Sequence, residues 1–148
     1  MKKIIISSLL LAGLLCGSAY SSFANVNQKV LNAFHSIFNR ASDVRWTEYK
    51  DHYFVSFRMS DEIVEVNFDH SGNVLNSTRY YKAQHLPLNI LLNVRNEYPE
   101  KIIHSVTEIS DEDGMVYLIQ LKDAKEYIYL KSDISGNLEI SDRFNNAG

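Results

Sequence analysis

In the stretch NVNQKVLNAFHSIFNRA, the apolar residues Val26, Val30, Phe34 and Ile37 recur at helical spacing, flanked by Leu31 and Phe38. That stripe predicts an amphipathic helix of roughly three turns with one face buried. Asn25 or Asn27 can cap its start. The period then drops to two. Val44 and Trp46 share a phase, and so do Tyr53, Val55, Phe57 and Met59, with Ser56 and Arg58 in the other phase. Val64, Val66 and Phe68 alternate against Glu65 and Asn67. The run NVLNSTRYY alternates more weakly and leaves its register open, so Tyr80 and Tyr81 can exchange roles. The connectors YKDH, SDE and DHSGN are short and polar. Four adjacent antiparallel strands follow.

The pattern then restarts. LPLNILLNVRNEYP reads as a second helix, with Leu88, Leu91 and Tyr98 near Ile90 and Val94. Pro87 suits its first turn and Pro99 ends it. IIHSVTEI, MVYLIQLK, EYIYLK and NLEISDRF follow as strands, and SDEDG is the first connector between them. Phe34 and Phe38 overlay on Val94 and Tyr98 at an offset of 60, and Tyr53, Val55, Phe57, Val64 and Val66 on Tyr117, Ile119, Leu121, Ile128 and Leu130 at an offset of 64. The expected architecture is therefore α+β, a tandem repeat α-β4-α-β4 with repeats at about 26–81 and 86–144. The helices would cover one face of antiparallel sheet, in a single domain over 25–148. The eight strands can form one sheet or two side by side.

The segments VLNAFHSIFNRASDVRW, YFVSF, VEVNFDHSGNVL and LPLNILLNVRNEYPEKII carry a resemblance. Their order is similar to that of PepSY-like domains with a β-lactamase-inhibitor-like (BLIP-like) fold, which bacteria export. The likeness covers nearly all of 26–144. One departure is Asn39, where such sequences often carry Pro, as in Tyr98-Pro99 here. The resemblance implies a helix-on-sheet repeat and an exported protein, with no assigned reaction. The inhibitor after which the fold is named holds its enzyme with a concave sheet face and two loops. No residue-level match to those loops is present, so inhibition carries over as a fold analogy alone.

The first 24 residues have the pattern of a signal peptide. Lys2 and Lys3 precede a short apolar run from Ile4 to Leu15, and Ser22-Phe23-Ala24 offers small residues for cleavage after Ala24, with Ala19 as an earlier alternative. The run is too short to span a bilayer comfortably. A lipoprotein signal ending at Cys16 is the rival reading, and Leu15 is a poor residue immediately before that cysteine. The expected location is periplasmic or secreted. Cys16 is the only cysteine, so the exported part would depend on its core alone, without a disulfide. The chain holds 15 Lys and Arg against 18 Asp and Glu, and losing Lys2 and Lys3 makes the remainder more acidic. That balance argues against nucleic acid as a partner.

Specific chemistry is sparse. His35, His52, His70, His85 and His104 stand singly, without metal-ligand spacing, so neither metal nor cofactor is expected. DHSGN and DISGN recur, and each offers one Asp where a calcium loop needs several oxygen ligands. Asp69 and Asp133 instead suit turns, and Gly72 and Gly136 supply positive φ. No nucleophile motif appears, and the expectation is a protein that is not an enzyme.

What remains is aromatic and basic surface. If the apolar phase faces the helices, the opposite phase holds Tyr49, Phe54, Arg58, Arg79, Tyr81, Tyr127, Tyr129 and Arg143, beside Arg45, Leu75 and Leu118. Tyr, Phe and Arg together are typical of protein-binding hot spots, although the aromatics also suit strands in their own right. These residues are the expected binding site of a non-catalytic module for a protein or peptide of unknown identity. Inhibition of a secreted or periplasmic hydrolase, a β-lactamase or peptidase, is the alternative, and a structural or assembly role a third. The sequence leaves the oligomeric state open.

Overall fold

The computed structural model describes residues 25–146, so the signal-peptide reading of 1–24 lies outside the described residues. Helix α1 (Gln28–Ile37) is followed by strands β1 (Ser42–Glu48), β2 (Tyr53–Met59), β3 (Glu62–Phe68) and β4 (Val74–Tyr81). A single 3-10 turn (Ala83–His85) leads into helix α2 (Leu88–Glu97) and strands β5 (Ile102–Asp111), β6 (Gly114–Lys122), β7 (Glu126–Asp133) and β8 (Leu138–Asn145). All eight strands form one antiparallel sheet in chain order.

The helix ends follow local chemistry. The Asn27 side chain accepts from the Val30 backbone N–H at 3.0 Å and caps α1. Pro87 stands immediately before α2, where its missing N–H costs nothing, and Pro99 follows the Tyr98 cap.

Both helices cover the same face of the sheet. Val30 and Phe34 of α1 bury against Val55, Phe57, Val64, Val66 and Phe68. Phe34 meets Trp46 and Phe57 edge-on, with ring centroids 5.2 Å apart in each case. Ile90 and Val94 of α2 bury against Val106, Ile119, Leu121, Ile128 and Leu130. Leu88, expected in that stripe, points to solvent and is 68% exposed, because it stands two positions from Ile90 where a shared helix face needs a spacing of three or four.

The two recurrent turns hold the helices to the sheet. Asp69 accepts from the backbone N–H groups of Ser71 and Asn73, at 2.8 and 2.9 Å, and Asp133 accepts from that of Asn137 at 3.1 Å. Gly72 has φ +90°, and a Cβ there would lie 3.1 Å from the Ala33 Cβ and from the Lys29 carbonyl of α1. Gly136 has φ +88° and approaches Asn89 and Asn93 of α2 in the same way. Asn89 and Asn93 donate to the carbonyls of Ile134 and Gly136, and Asn27 donates to that of His70. The carboxylates thus serve the turns, and the glycines let each turn touch its helix.

Strand β4 departs from the period-two expectation. Asn67 pairs with Asn76 but Phe68 pairs with Val74, which leaves Leu75 as a bulge. One extra residue reverses the phase of everything after it. Arg79 and Tyr81, expected on the open face, therefore lie on the helix side: Arg79 pairs with Val64 and Glu108, and Tyr81 pairs with Val106 and is buried. Strand β8 repeats the effect, because Tyr129 pairs with Asp142 and Leu130 with Ile140, leaving Ser141 bulged. Arg143 consequently pairs with the buried Ile128 on the helix side, with its Nε 3.5 Å from Glu126.

The two cores meet at a polar seam over β4. Arg79 donates through Nη2 and Nε to Glu62, at 2.8 and 3.2 Å, and through Nη1 to Glu108 at 2.9 Å. Tyr81 donates its hydroxyl to the same Glu108 at 2.7 Å. Both carboxylates are buried while the guanidinium keeps partial contact with water. Burial and the Glu108 partner push the Tyr81 phenol well above its ordinary range.

Candidate functional site

Among the described residues no helix covers the face away from α1 and α2, and the strand register determines which side chains share it. One row crosses the sheet from Arg58 through Ile63, Tyr80 and Thr107 to Leu118, each directly opposite the next. Ile63, Tyr80 and Leu118 are all exposed, at 40%, 40% and 38%, so the row presents apolar surface to solvent rather than core. Tyr80 is oriented by its hydroxyl, which donates to Glu65 at 3.0 Å; burial first and that carboxylate second raise its pKa.

The next row is a polar chain. Ser105 donates to the Gln120 amide oxygen at 3.0 Å, and Gln120 donates through Nε2 to the Tyr129 hydroxyl at 2.7 Å. Tyr129 sets its ring edge-on to Phe144, with centroids 5.7 Å apart. Tyr127 lies two pairs beyond, the next place on this face, with Lys122 Nζ 5.1 Å from its ring centroid and His104 edge-on at 6.4 Å. At the opposite end of the sheet Tyr49 stacks on His52 at 4.6 Å, and Phe54 pairs with Thr47 and Asn67.

Of the expected site residues, Tyr49, Phe54, Arg58, Tyr127 and Tyr129 occupy the open-face phase. They form two groups at opposite ends, because β1 and β7 lie six strand spacings apart, or about 29 Å. The apolar middle that connects them is Ile63, Tyr80 and Leu118. Leu118 was expected there; Ile63 was not, although an isoleucine in the polar phase of EIVEVNF is the signal that marks it. Arg79, Tyr81 and Arg143 take no part in this surface.

Two shallow depressions adjoin at Arg58 and Ile63. One, of about 270 Å³, is bordered by Arg58, Asp61, Ile63, Tyr80, Lys82, Ser105 and Thr107, among others. The other, of about 180 Å³, is bordered by Asp43, Arg45, Ser56, Arg58 and Ile63. Among the described residues, no cluster of three or more His, Cys, Asp and Glu side chains could hold a metal ion. No helix among them is long and apolar enough to cross a membrane.

The fold is shared with solved structures. A BLIP-like protein of Bacteroides fragilis superposes with a TM-score of 0.60 at 16% identity, covering 86% of this chain and 92% of its own. A protein of Bacteroides eggerthii, provisionally described as periplasmic, gives 0.58 at 15% identity over 82% and 90%. A DUF2874 family protein of Bacteroides ovatus gives 0.59 at 16% identity over 82% and 89%. No protein-family model matches the chain, and a search of the curated proteins found no match. At these identities the likeness defines a class of fold: a BLIP-like α+β arrangement of two helices on an eight-stranded antiparallel sheet.

Proposed function

We propose that this chain is an exported, non-catalytic binding module that recognises a protein or peptide on the open face of its sheet. The observation that carries the reading is the row Ile63, Tyr80, Leu118. It sets exposed apolar side chains in register across a face that no helix covers among the described residues. A solvated sheet face ordinarily carries polar residues, so an apolar row bordered by Tyr129, Phe144 and Arg58 has the composition of an interface. Export follows from the pattern of residues 1–24 and agrees with the Bacteroides eggerthii neighbour's description. The two halves are read as tandem repeats of a PepSY-like unit. In support, Gly72 meets Lys29 and Ala33, and Gly136 meets Asn89 and Asn93, pairs that keep the sequence offsets.

The test is a pull-down from the exported fraction with Tyr127→Ala and Tyr129→Ala combined. Partner capture should fall while the melting temperature stays nearly unchanged. A large loss of stability would place those rings in the fold rather than the interface and defeat the reading.

Inhibition of a secreted or periplasmic hydrolase is the second reading, favoured by the BLIP-like neighbour. Screening the purified protein against β-lactamases and peptidases separates it from simple binding. No inhibition at micromolar concentration counts against it.

A further inference from the structure

We infer that the groove formed by the two adjoining depressions takes an extended acidic segment of a protein partner, seated by one apolar side chain. This deepens the open-face reading and rests on it. The depressions share Arg58 and Ile63, so together they make one trough running from β1 to the start of β5. Its apolar floor is Ile63 and Tyr80. Its cations are Arg45, Arg58 and Lys82, placed on β1, on β2 and just past β4. The trough crosses four strand spacings, about 19 Å of sheet, the reach of a five- or six-residue extended chain.

Two acids, Asp43 and Asp61, also line the trough, and both are already engaged. Asp61 accepts from Gln84 at 3.0 Å and faces His85 at 3.2 Å, both beside the 3-10 turn. Asp43 lies 3.5 Å from Arg58 as an exposed pair, which is weak and easily exchanged. Arg45 makes no ion pair among the described residues, and Lys82 makes only a 3.3 Å contact with the His104 carbonyl. In a chain where acids outnumber bases, three cations against two engaged acids on an apolar floor reverse the balance locally. Carboxylates on the partner complement the three cations, and a leucine-sized side chain between Ile63 and Tyr80 fixes the register.

The test uses three blocked, fluorescein-labelled pentapeptides, each with a central leucine flanked by glutamates, glutamines or lysines. Fluorescence anisotropy at low salt should give tightest binding for the glutamate peptide. That binding should weaken about fivefold in R58E and more in 0.5 M salt. Leu92→Ser, exposed on α2 and so on the other side of the sheet, should leave it unchanged. Circular dichroism melting establishes that R58E is folded, as expected for an exposed side chain. The inference is overturned if the glutamate peptide binds no tighter than the glutamine one, if R58E binds it equally well, or if none of the three binds. Binding of the glutamine or lysine peptide that is as tight as that of the glutamate one and is abolished by Ile63→Ser would overturn the acidic partner while leaving the open-face reading intact.

Discussion

Arg79 and Glu108 face each other across the β4–β5 pair, Nη1 to Oε1 at 2.9 Å, where the two cores of the sheet meet. One guanidinium there answers two buried carboxylates, Glu62 and Glu108, at the strand pairing that, among the described residues, links the first four strands to the last four. Removing the cation leaves Glu108 with the Tyr81 hydroxyl and Glu62 with His85 Nδ1 at 3.4 Å, and both acids lose their guanidinium, which costs more than the pair contributes while intact. Because Arg79 keeps some water contact, Arg79→Met should cost about 2 kcal/mol, less than a fully buried pair. Adding Glu62→Gln and Glu108→Gln should recover at least half of that loss in urea unfolding. Losses that simply add would show that the three groups are not coupled.

Tyr80 and Tyr81 make a direct test of the β4 register. Tyr81 is buried beside α2 and hydrogen-bonded to Glu108, whereas Tyr80 stands on the open face. Tyr81→Ala should cost about 3–4 kcal/mol, in the range of buried aromatic truncations. Tyr80→Ala should cost less than about 1 kcal/mol. Thermal unfolding of the two variants reads this difference, and the reverse order would mean that the strand lacks its bulge.

These two tyrosines also mark where the sequence stops being readable. The helices, the hairpin turns and the core strands follow from periods of 3.6 and two, because burial enforces those periods residue by residue. Val55, Phe57, Val64, Val66 and their counterparts Ile119, Leu121, Ile128 and Leu130 all lie where alternation places them. A bulge adds one residue and leaves no apolar signature of its own. Leu75 and Ser141 could not be singled out, and both reverse the residues after them. Arg79 and Arg143 repeat at the same offset and share the same side, yet it is the helix side. The partner of a long charged side chain depends on register between distant strands, so the Glu62–Arg79–Glu108 contact left no trace in local pattern. Ile63 was legible in principle, as an apolar residue breaking a polar phase.

The glycines separate backbone strain from crowding. Gly72, Gly114 and Gly136 all have positive φ, at +90°, +131° and +88°. Gly114 has nothing within 4 Å of an added Cβ, so Gly114→Ala tests strain alone. Gly136→Ala adds a contact 2.8 Å from Asn93 Nδ2 and disturbs its bond to the Gly136 carbonyl. Gly72→Ala presses 3.1 Å against the Lys29 backbone carbonyl, which cannot swing aside. Each should destabilise by about 1–3 kcal/mol, with Gly72→Ala and Gly136→Ala also loosening their helices. Hydrogen exchange should show faster opening of α1 in the first and of α2 in the second, and neither effect in Gly114→Ala.

Acid should unfold the protein through its turn carboxylates. The Lys101 ammonium first, at 2.6 Å, and then the backbone N–H groups of Glu126 and Lys125 hold the Asp123 carboxyl well below its ordinary range. Asp69 and Asp133 are lowered mainly by the Asn73 and Asn137 side chains and then by their backbone N–H groups. A folded-state pKa below the unfolded value means that the unfolded chain takes up more protons as pH falls. Stability from these groups is therefore fully present above the unfolded value, about 3.9, and is lost as pH falls toward their lower folded values. Urea midpoints measured from pH 6 down to pH 2 should stay level and then drop below about pH 4. Asp123→Asn should lower the midpoint at pH 6 and flatten the acid limb, because the amide has no proton to gain. An Asp123→Asn profile parallel to the parent's at every pH would mean that the Lys101–Asp123 contact is not maintained in solution.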